Sequence, residues 1–283
     1  MNIRKAMLAG SWYPGSASGC EKEIKAFLKD DYQKAISGRS LIGGIAPHAG
    51  WYFSGSIACH VIRSLKEENP PDAFVVFGMH LHPASPSYIM TEGGWETPFG
   101  VIEIEKALAA ALVENFSFQI ETASNFTQDN TIELQLPFIK YFFEGAKLVP
   151  IGVPPTPHSL EIGKAVADIS KRLGLRIKII GSTDLTHYGP NYGLVTKGTG
   201  AKAIDWVRNE NDRSVIDAML DLDPTTVIDE ALANHNACCS GAAATAIAAA
   251  KALGAEKAET IAYATSYDKS PGDSFVGYVG IVF

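Results

Sequence analysis

The chain predicts an α/β fold with a largely parallel central sheet, on three observations. Four short runs are predominantly apolar: 41–46 (LIGGIA), 73–78 (AFVVFG), 147–153 (KLVPIGV) and 176–181 (RIKIIG). Continuous apolar runs of this length read as strands buried on both faces, as in parallel sheets. Helical stretches at 56–66 and 160–173 separate them, so strand and helix alternate. That alternation, joined by short loops, implies a sheet covered by helices on both sides.

Taken in order, 7–15 (MLAGSWYPG) is turn-rich and reads as an N-terminal segment pinned by burial of its aromatics. A first amphipathic helix comes next at 21–30. The first strand ends at Pro47, which cannot donate to a sheet ladder, so His48 falls just past a strand terminus. Asn69-Pro70-Pro71 forces a loop before the second strand, which runs out into Met79-His80-Leu81-His82. A helix is expected at 105–115. Residues 130–143 read as a helix interrupted or kinked near Pro137.

The fourth strand runs out into Ser-Thr-Asp184-Leu-Thr-His187. Helices are then expected at 203–208, 213–220, 225–234 and, rich in alanine, 242–253. Two β-like runs, 258–266 and 274–283, close the chain. No linker, repeat or compositional break divides it, so residues 1–283 are expected to form a single domain.

Composition bounds the function. Net charge is −7 with no basic block, which argues against nucleic acid and anionic membrane as partners. No stretch resembles a signal peptide or approaches the roughly 20 apolar residues of a membrane span. A cytoplasmic protein is the expectation, and its four cysteines are then expected to be reduced. Phosphate-cradling GxxxxGK[ST], the GxSxG elbow, HExxH and paired CxxC knuckles are all missing.

The candidate chemistry lies at the strand ends. Parallel strands present their carboxyl ends along one edge, where ligands bind in open α/β sheets. Four of the seven histidines, His48, His80, His82 and His187, come just after strand ends there, together with Asp184. Several imidazoles beside an anion suit a divalent metal: iron, zinc or copper. The third ligand could be Asp184 or a cysteine of His235-Asn236-Ala237-Cys238-Cys239, which precedes a helix whose N-terminus favours thiolate. Asp184 and His187 could instead work as a general acid/base pair, or serve as extra ligands. Trp51 and Tyr52 are placed to line a pocket for a small-molecule substrate.

Six motifs in order, AGSWYPG, APHAGWYFSG, IELQLPF, STDLTHYG, HNACCSG and SFVGYVG, resemble the Memo family, whose bacterial members are also called AmmeMemoRadiSam system protein B. The resemblance runs from about residue 9 to the C-terminus. It implies a three-layer α/β/α sandwich similar to class III extradiol dioxygenases, which hold non-haem iron(II) with two histidines and a carboxylate. In Memo proteins a cysteine takes the carboxylate's place. Carried over here, the implied ligands are His48, His82 or His80, and Cys239, with Asp184 and His187 as the catalytic pair. The implied function is a redox-linked, dioxygenase-like metal site. Alternatives are a non-enzymatic partner of a radical-SAM protein, or a zinc hydrolase.

Two departures stand out. The family's G-P-x-H loop reads Gly78-Met79-His80-Leu81-His82 here, leaving two candidate histidines. Its Glu-His-Ser entry to the IELQLPF helix reads Asp129-Asn130-Thr131.

Overall fold

The apolar runs become the buried strands they predict. The computed structural model describes residues 1–32 and 40–283. Its strands are β1 Ile3–Arg4, β2 Gly43–Ala46, β3 Ala73–Gly78, β4 Ser87–Met90, β5 Gly94–Thr97 and β6 Gly100–Glu103. They continue with β7 Phe118–Glu121, β8 Lys147–Gly152, β9 Ile177–Ser182, β10 His187–Tyr188, β11 Glu259–Thr265 and β12 Phe275–Val282. The helices are α1 Ala17–Phe27, α2 Ser56–Ser64, α3 Lys106–Asn115, α4 Asn130–Glu133 and α5 Leu136–Phe142. After them come α6 Pro157–Leu173, α7 Ala201–Trp206, α8 Asp212–Leu220, α9 Pro224–Asn234 and α10 Ser240–Leu253.

The main sheet runs β10-β12-β2-β9-β3-β8-β4-β7, with β11 also paired to β12. Its centre, β2-β9-β3-β8, is parallel, while β12 joins β2 and β4 joins β8 antiparallel. Register aligns the strand ends: Ala46 pairs with Ser182, Phe77 with Gly181, and Gly78 with Gly152. The residues just beyond these ends, His48, Met79-His80 and Thr183-Asp184, therefore leave the sheet at one level.

Helices cover both faces. A side chain at Gly44 would meet Val61 of α2, whereas Gly181 faces Ala242 and Ala246 of α10. The alanine richness of α10 now has a cause. A Cβ at Gly181 would lie 2.8 Å from that of Ala246, and one at Gly163 of α6 would lie 2.5 Å from the Thr245 carbonyl oxygen. Only small residues permit this approach, and every residue from Ser240 to Ala250 is buried.

Three features depart from the sequence reading, and at 130–143 the structure decides for the interrupted helix. The strands β4 to β7 went unread, because each is four residues long and none is a continuous apolar run; β7 is largely open to solvent. Two of them, β5 and β6, form a separate three-stranded sheet with β1. The helix expected across 130–143 is two, because Pro137 sits in the first turn of α5, where its missing N–H costs nothing. The helices expected at 203–208 and 213–220 are joined by a π-helical segment, Val207–Asn211.

That wide turn delivers Asp212 into the interior, where it is fully buried. Its Oδ1 accepts hydrogen bonds from the backbone N–H (3.0 Å) and hydroxyl of Thr186, and its Oδ2 accepts one from the Tyr263 hydroxyl at 2.7 Å. Asp212 thereby ties the loop after β9 to the β11–β12 hairpin. Burial pushes its carboxyl up to about 6, against the pull of the Thr186 and Tyr263 donors.

This packing makes two predictions. Gly163→Ala should cost about 1–3 kcal/mol by forcing α6 off α10. Gly145→Ala, with nothing within 4 Å of the new methyl, should show no such steric loss; urea unfolding of both variants checks the contrast. The second concerns pH. A carboxyl whose pKa is higher folded than unfolded stabilises fully below the unfolded value of 3.8 and loses that stabilisation as pH climbs through about 6. At about 1.4 kcal/mol per unit this amounts to about 3 kcal/mol. Asp212→Asn should flatten the fall in unfolding free energy between these pH values; an unchanged slope in the variant would assign the pH dependence elsewhere.

Candidate metal centre

At the common edge, His48 is fixed by three neighbours. Its backbone N–H donates to Asp184 Oδ1 at 2.7 Å, and its carbonyl accepts from the Asn130 amide at 2.9 Å. Its Nδ1 lies 3.1 Å from Ser182 Oγ. That hydroxyl has one proton, which it donates to the Thr131 carbonyl at 2.7 Å, and it accepts from Gln135 Nε2 at 3.2 Å. His48 Nδ1 must therefore carry a hydrogen and donate it, as the second ring nitrogen of a metal-bound imidazole commonly does. In the neutral ring this leaves Nε2 with its lone pair directed at Cys238 Sγ, 3.2 Å away.

His80 arrives by a different route. Met79 adopts a left-handed backbone (φ 72°), rare for a side chain of its size, with its N–H held by Thr131 Oγ1 at 2.7 Å. Its own side chain lies over Gly152, where a methyl would come within 2.1 Å of the sulfur. This turn brings His80, two residues past Gly78, to 4.9 Å from His48, ring centre to ring centre. Asp129 Oδ2 sits 3.2 Å from His80 Nδ1 and orients the ring. His82 is not brought to the site: it is turned outward, and its Nδ1 accepts the Ala84 N–H at 3.2 Å. The second histidine of the cluster is thus His80.

The sulfurs come from the start of α10. The Asp184 N–H points at Cys238 Sγ from 3.3 Å, and the Cys239 N–H donates to Thr183 Oγ1 at 3.0 Å. The two sulfurs are 3.8 Å apart. Ligand atoms of His48, His80, Cys238 and Cys239 all lie within 4.8 Å of one another. The sequence motif points to Cys239 and passes over Cys238, which is the cysteine nearer His48; adjacent cysteines give no sequence signal for which one faces a site.

The electrostatics separate the two thiols. Burial opposes ionisation of Cys238, but Cys239, His48 and His80 outweigh it and bring Cys238 well below an ordinary thiol. Burial and the neighbouring Cys238 push Cys239 up. Burial lowers the basicity of His48 and His80, yet Asp184 and Cys238 carry His48 above the imidazole range, and Asp129 and Cys238 carry His80 to about 10. A lone pair facing a thiolate is repulsive unless a cation lies between them, so a proton or a metal ion satisfies this cluster. Two imidazoles and a thiolate fit iron, zinc or copper by ligand chemistry.

The remaining candidates sit around a cleft of about 620 Å³ lined by His48, His80, Asp184, His187, Tyr52 and Tyr192, among others. Asp184 stands 4.0 Å from His48 Nε2, and burial pushes its carboxyl up. Among the described residues no carboxylate is hydrogen-bonded to His187: its Nδ1 lies 3.1 Å from the Leu185 carbonyl, which leaves Nε2 as an acceptor. Trp51 does not line the cleft. It is 1% exposed, stacks on Phe138 at 4.1 Å and donates to the Leu134 carbonyl. Tyr52 and Trp12, 65% and 42% exposed, form the wall instead. Asn130, Gln135, Ser182 and Asp129 fall in or beside the family motifs but do not read as site residues in the sequence; their amides, hydroxyl and carboxylate act through contacts between distant segments.

The family described as Memo-like protein matches residues 4–282. A MEMO1 family protein of Pyrococcus furiosus is 36% identical over 99% of this chain and 98% of its own length. Others from Thermococcus onnurineus and Methanopyrus kandleri are each 34% identical, over 99% of this chain and 99% and 98% of theirs. A solved structure of an uncharacterized Escherichia coli K12 protein covers 80% of this chain and 90% of its own, at 12% identity and a TM-score of 0.49. Matched from end to end by a family profile and by relatives above one-third identity, the chain belongs to the Memo family.

Proposed function

We propose that this Memo-family chain is a metal-binding protein in which His48, His80 and Cys238 hold a divalent ion, iron(II) first, with zinc and copper as alternatives. The observation that carries the reading is the convergence of two imidazoles and a thiolate from three separate strand and helix ends, within 4.8 Å. When bound, iron(II) would supply one-electron redox chemistry beside the cleft. Among the described residues no helix is long and apolar enough to cross a membrane.

The chain's own groups supply the rest. Ser182 and Asp129 hold the two imidazoles at Nδ1 and leave their Nε2 atoms to face the sulfur. His187 Nε2, with no hydrogen-bond donor to it among the described residues, is set to take a proton from a molecule in the cleft. Tyr52, Tyr192 and Tyr278 give that molecule aromatic walls, which suits a small, partly apolar compound such as a phenol.

Protein purified without oxygen should carry stoichiometric metal by elemental analysis. His48→Ala and Cys238→Ala should each lose about 10-fold or more in metal affinity. His82→Ala should retain full occupancy, and equal loss there would place His82 in the ligand set. A further prediction separates binding from chemistry. His187→Ala should keep its metal and lose about 100-fold or more of any oxygen uptake with small phenols. A drop in occupancy matching His48→Ala would instead make His187 a ligand.

A further inference from the structure

The aromatic walls of the cleft suit a phenol, but a different chemistry closes its other side. Ser266, Ser270 and Ser274 line the cleft from the loop between β11 and β12. We propose that this loop binds a carboxylate, so that the cleft takes a phenolic acid such as a hydroxybenzoate, with Lys269 as the residue that selects it. This rests on the cleft reading above and names the substrate class.

The loop is placed by the strand that follows it. Val276 of β12 pairs with His187 of β10, which brings the end of the loop beside the proton acceptor. The Val276 N–H donates to Ser266 Oγ at 3.0 Å and folds the start of the loop back onto its end. Ser274 Oγ accepts the Asn191 N–H at 3.1 Å and keeps its own hydrogen to give. Ser270 is fixed by its backbone N–H on the Ser266 carbonyl at 2.9 Å, and its hydroxyl has no protein partner among the described residues. Two hydroxyl donors therefore face the cleft from one short segment.

Lys269 supplies the charge. Its Nζ reaches across to the Tyr52 carbonyl at 2.6 Å and stands 5.5 Å from the centre of the Tyr52 ring, which lines the cleft. The carbonyl takes one of the ammonium's three hydrogens and holds the charge at the rim. Among the described residues no acidic side chain pairs with it, because the neighbouring Asp268 is engaged by Arg208 and Thr265. Asp273, the other acid of the loop, does not line the cleft. None of the side chains that line the cleft is Lys or Arg, so Lys269 is the cation a bound anion meets at this rim. Asp184 stands at the inner end, held by the His48 N–H at 2.7 Å, and would repel a carboxylate there. The carboxylate thus faces outward and the phenol hydroxyl inward, toward His187. One ammonium and two hydroxyls complement a single negative charge; a phosphate dianion carries a second that this loop does not meet.

The test uses full-length protein stripped of metal with a chelator, so that a carboxylate has no ion to bind. Calorimetry then compares 4-hydroxybenzoate with its uncharged counterpart, 4-hydroxybenzamide. The acid should bind about 10-fold more tightly, as a charged hydrogen-bond partner does over a neutral one. High salt should shrink that preference, since the ammonium lies at the rim. Lys269→Gln should bring the acid down to the amide and leave the amide as in the wild type, while Lys269→Arg should keep the preference. Equal affinities in the wild type, or a preference that survives Lys269→Gln, would overturn the carboxylate assignment, as would phenyl phosphate binding more tightly than the acid. Loss of acid and amide alike in Lys269→Gln would make the side chain a prop for the Tyr52 wall and would also overturn it. Binding of neither compound is the separate outcome that removes the cleft reading as well, while metal content judges the metal-binding reading on its own.

Discussion

A single hydroxyl proton governs what this edge of the sheet can do. Ser182 lies at the end of β9, level with Ala46 of β2, and gives its hydrogen to the Thr131 carbonyl. Both its remaining contacts, from His48 and Gln135, must then be donations to its oxygen. The tautomer of His48 is thereby set, and with it the direction of the lone pair that meets Cys238. Without this constraint the neutral imidazole could carry its hydrogen on Nε2 and would have no lone pair to offer at the sulfur. The parallel register brings the groups to one level, and the hydroxyl decides which atom of His48 is offered.

Much of this was legible because buried parallel strands announce themselves. The runs LIGGIA, AFVVFG, KLVPIGV and RIKIIG locate the four central strands, and the turns just past three of them locate His48, His80 and Asp184. The Memo resemblance was legible for the same reason, since several of its motifs are these strand ends. The small sheet of β1, β5 and β6 was not, because strands of two to four residues have no period long enough to read. Nor could sequence choose between His80 and His82. That choice rests on Met79 taking a left-handed backbone, which Thr131, about fifty residues later, stabilises by accepting its N–H. Trp51 shows the opposite error: an aromatic beside a site motif reads as a pocket wall, yet its ring completes the core between Tyr13, Phe27 and Phe138.

The departures from the family pattern are absorbed by local chemistry. Asn130 stands where the usual entry to the IELQLPF helix has histidine, and its amide is committed to the His48 carbonyl. Asp129 beside it caps α4 by accepting the Thr131 N–H and also grips His80. One short turn therefore serves both imidazoles, and it does so with groups that hold ligands in place.

The seating of α10 carries an implication for how damage to this protein would be recognised. Both sulfurs sit immediately before a helix whose depth is fixed by methyl-sized contacts with α6 and β9. A bulky residue anywhere along that seam would slide the helix and withdraw the cysteines from the histidines. Lesions far from the cleft would then present as metal deficiency, in a chain whose ligands are all intact.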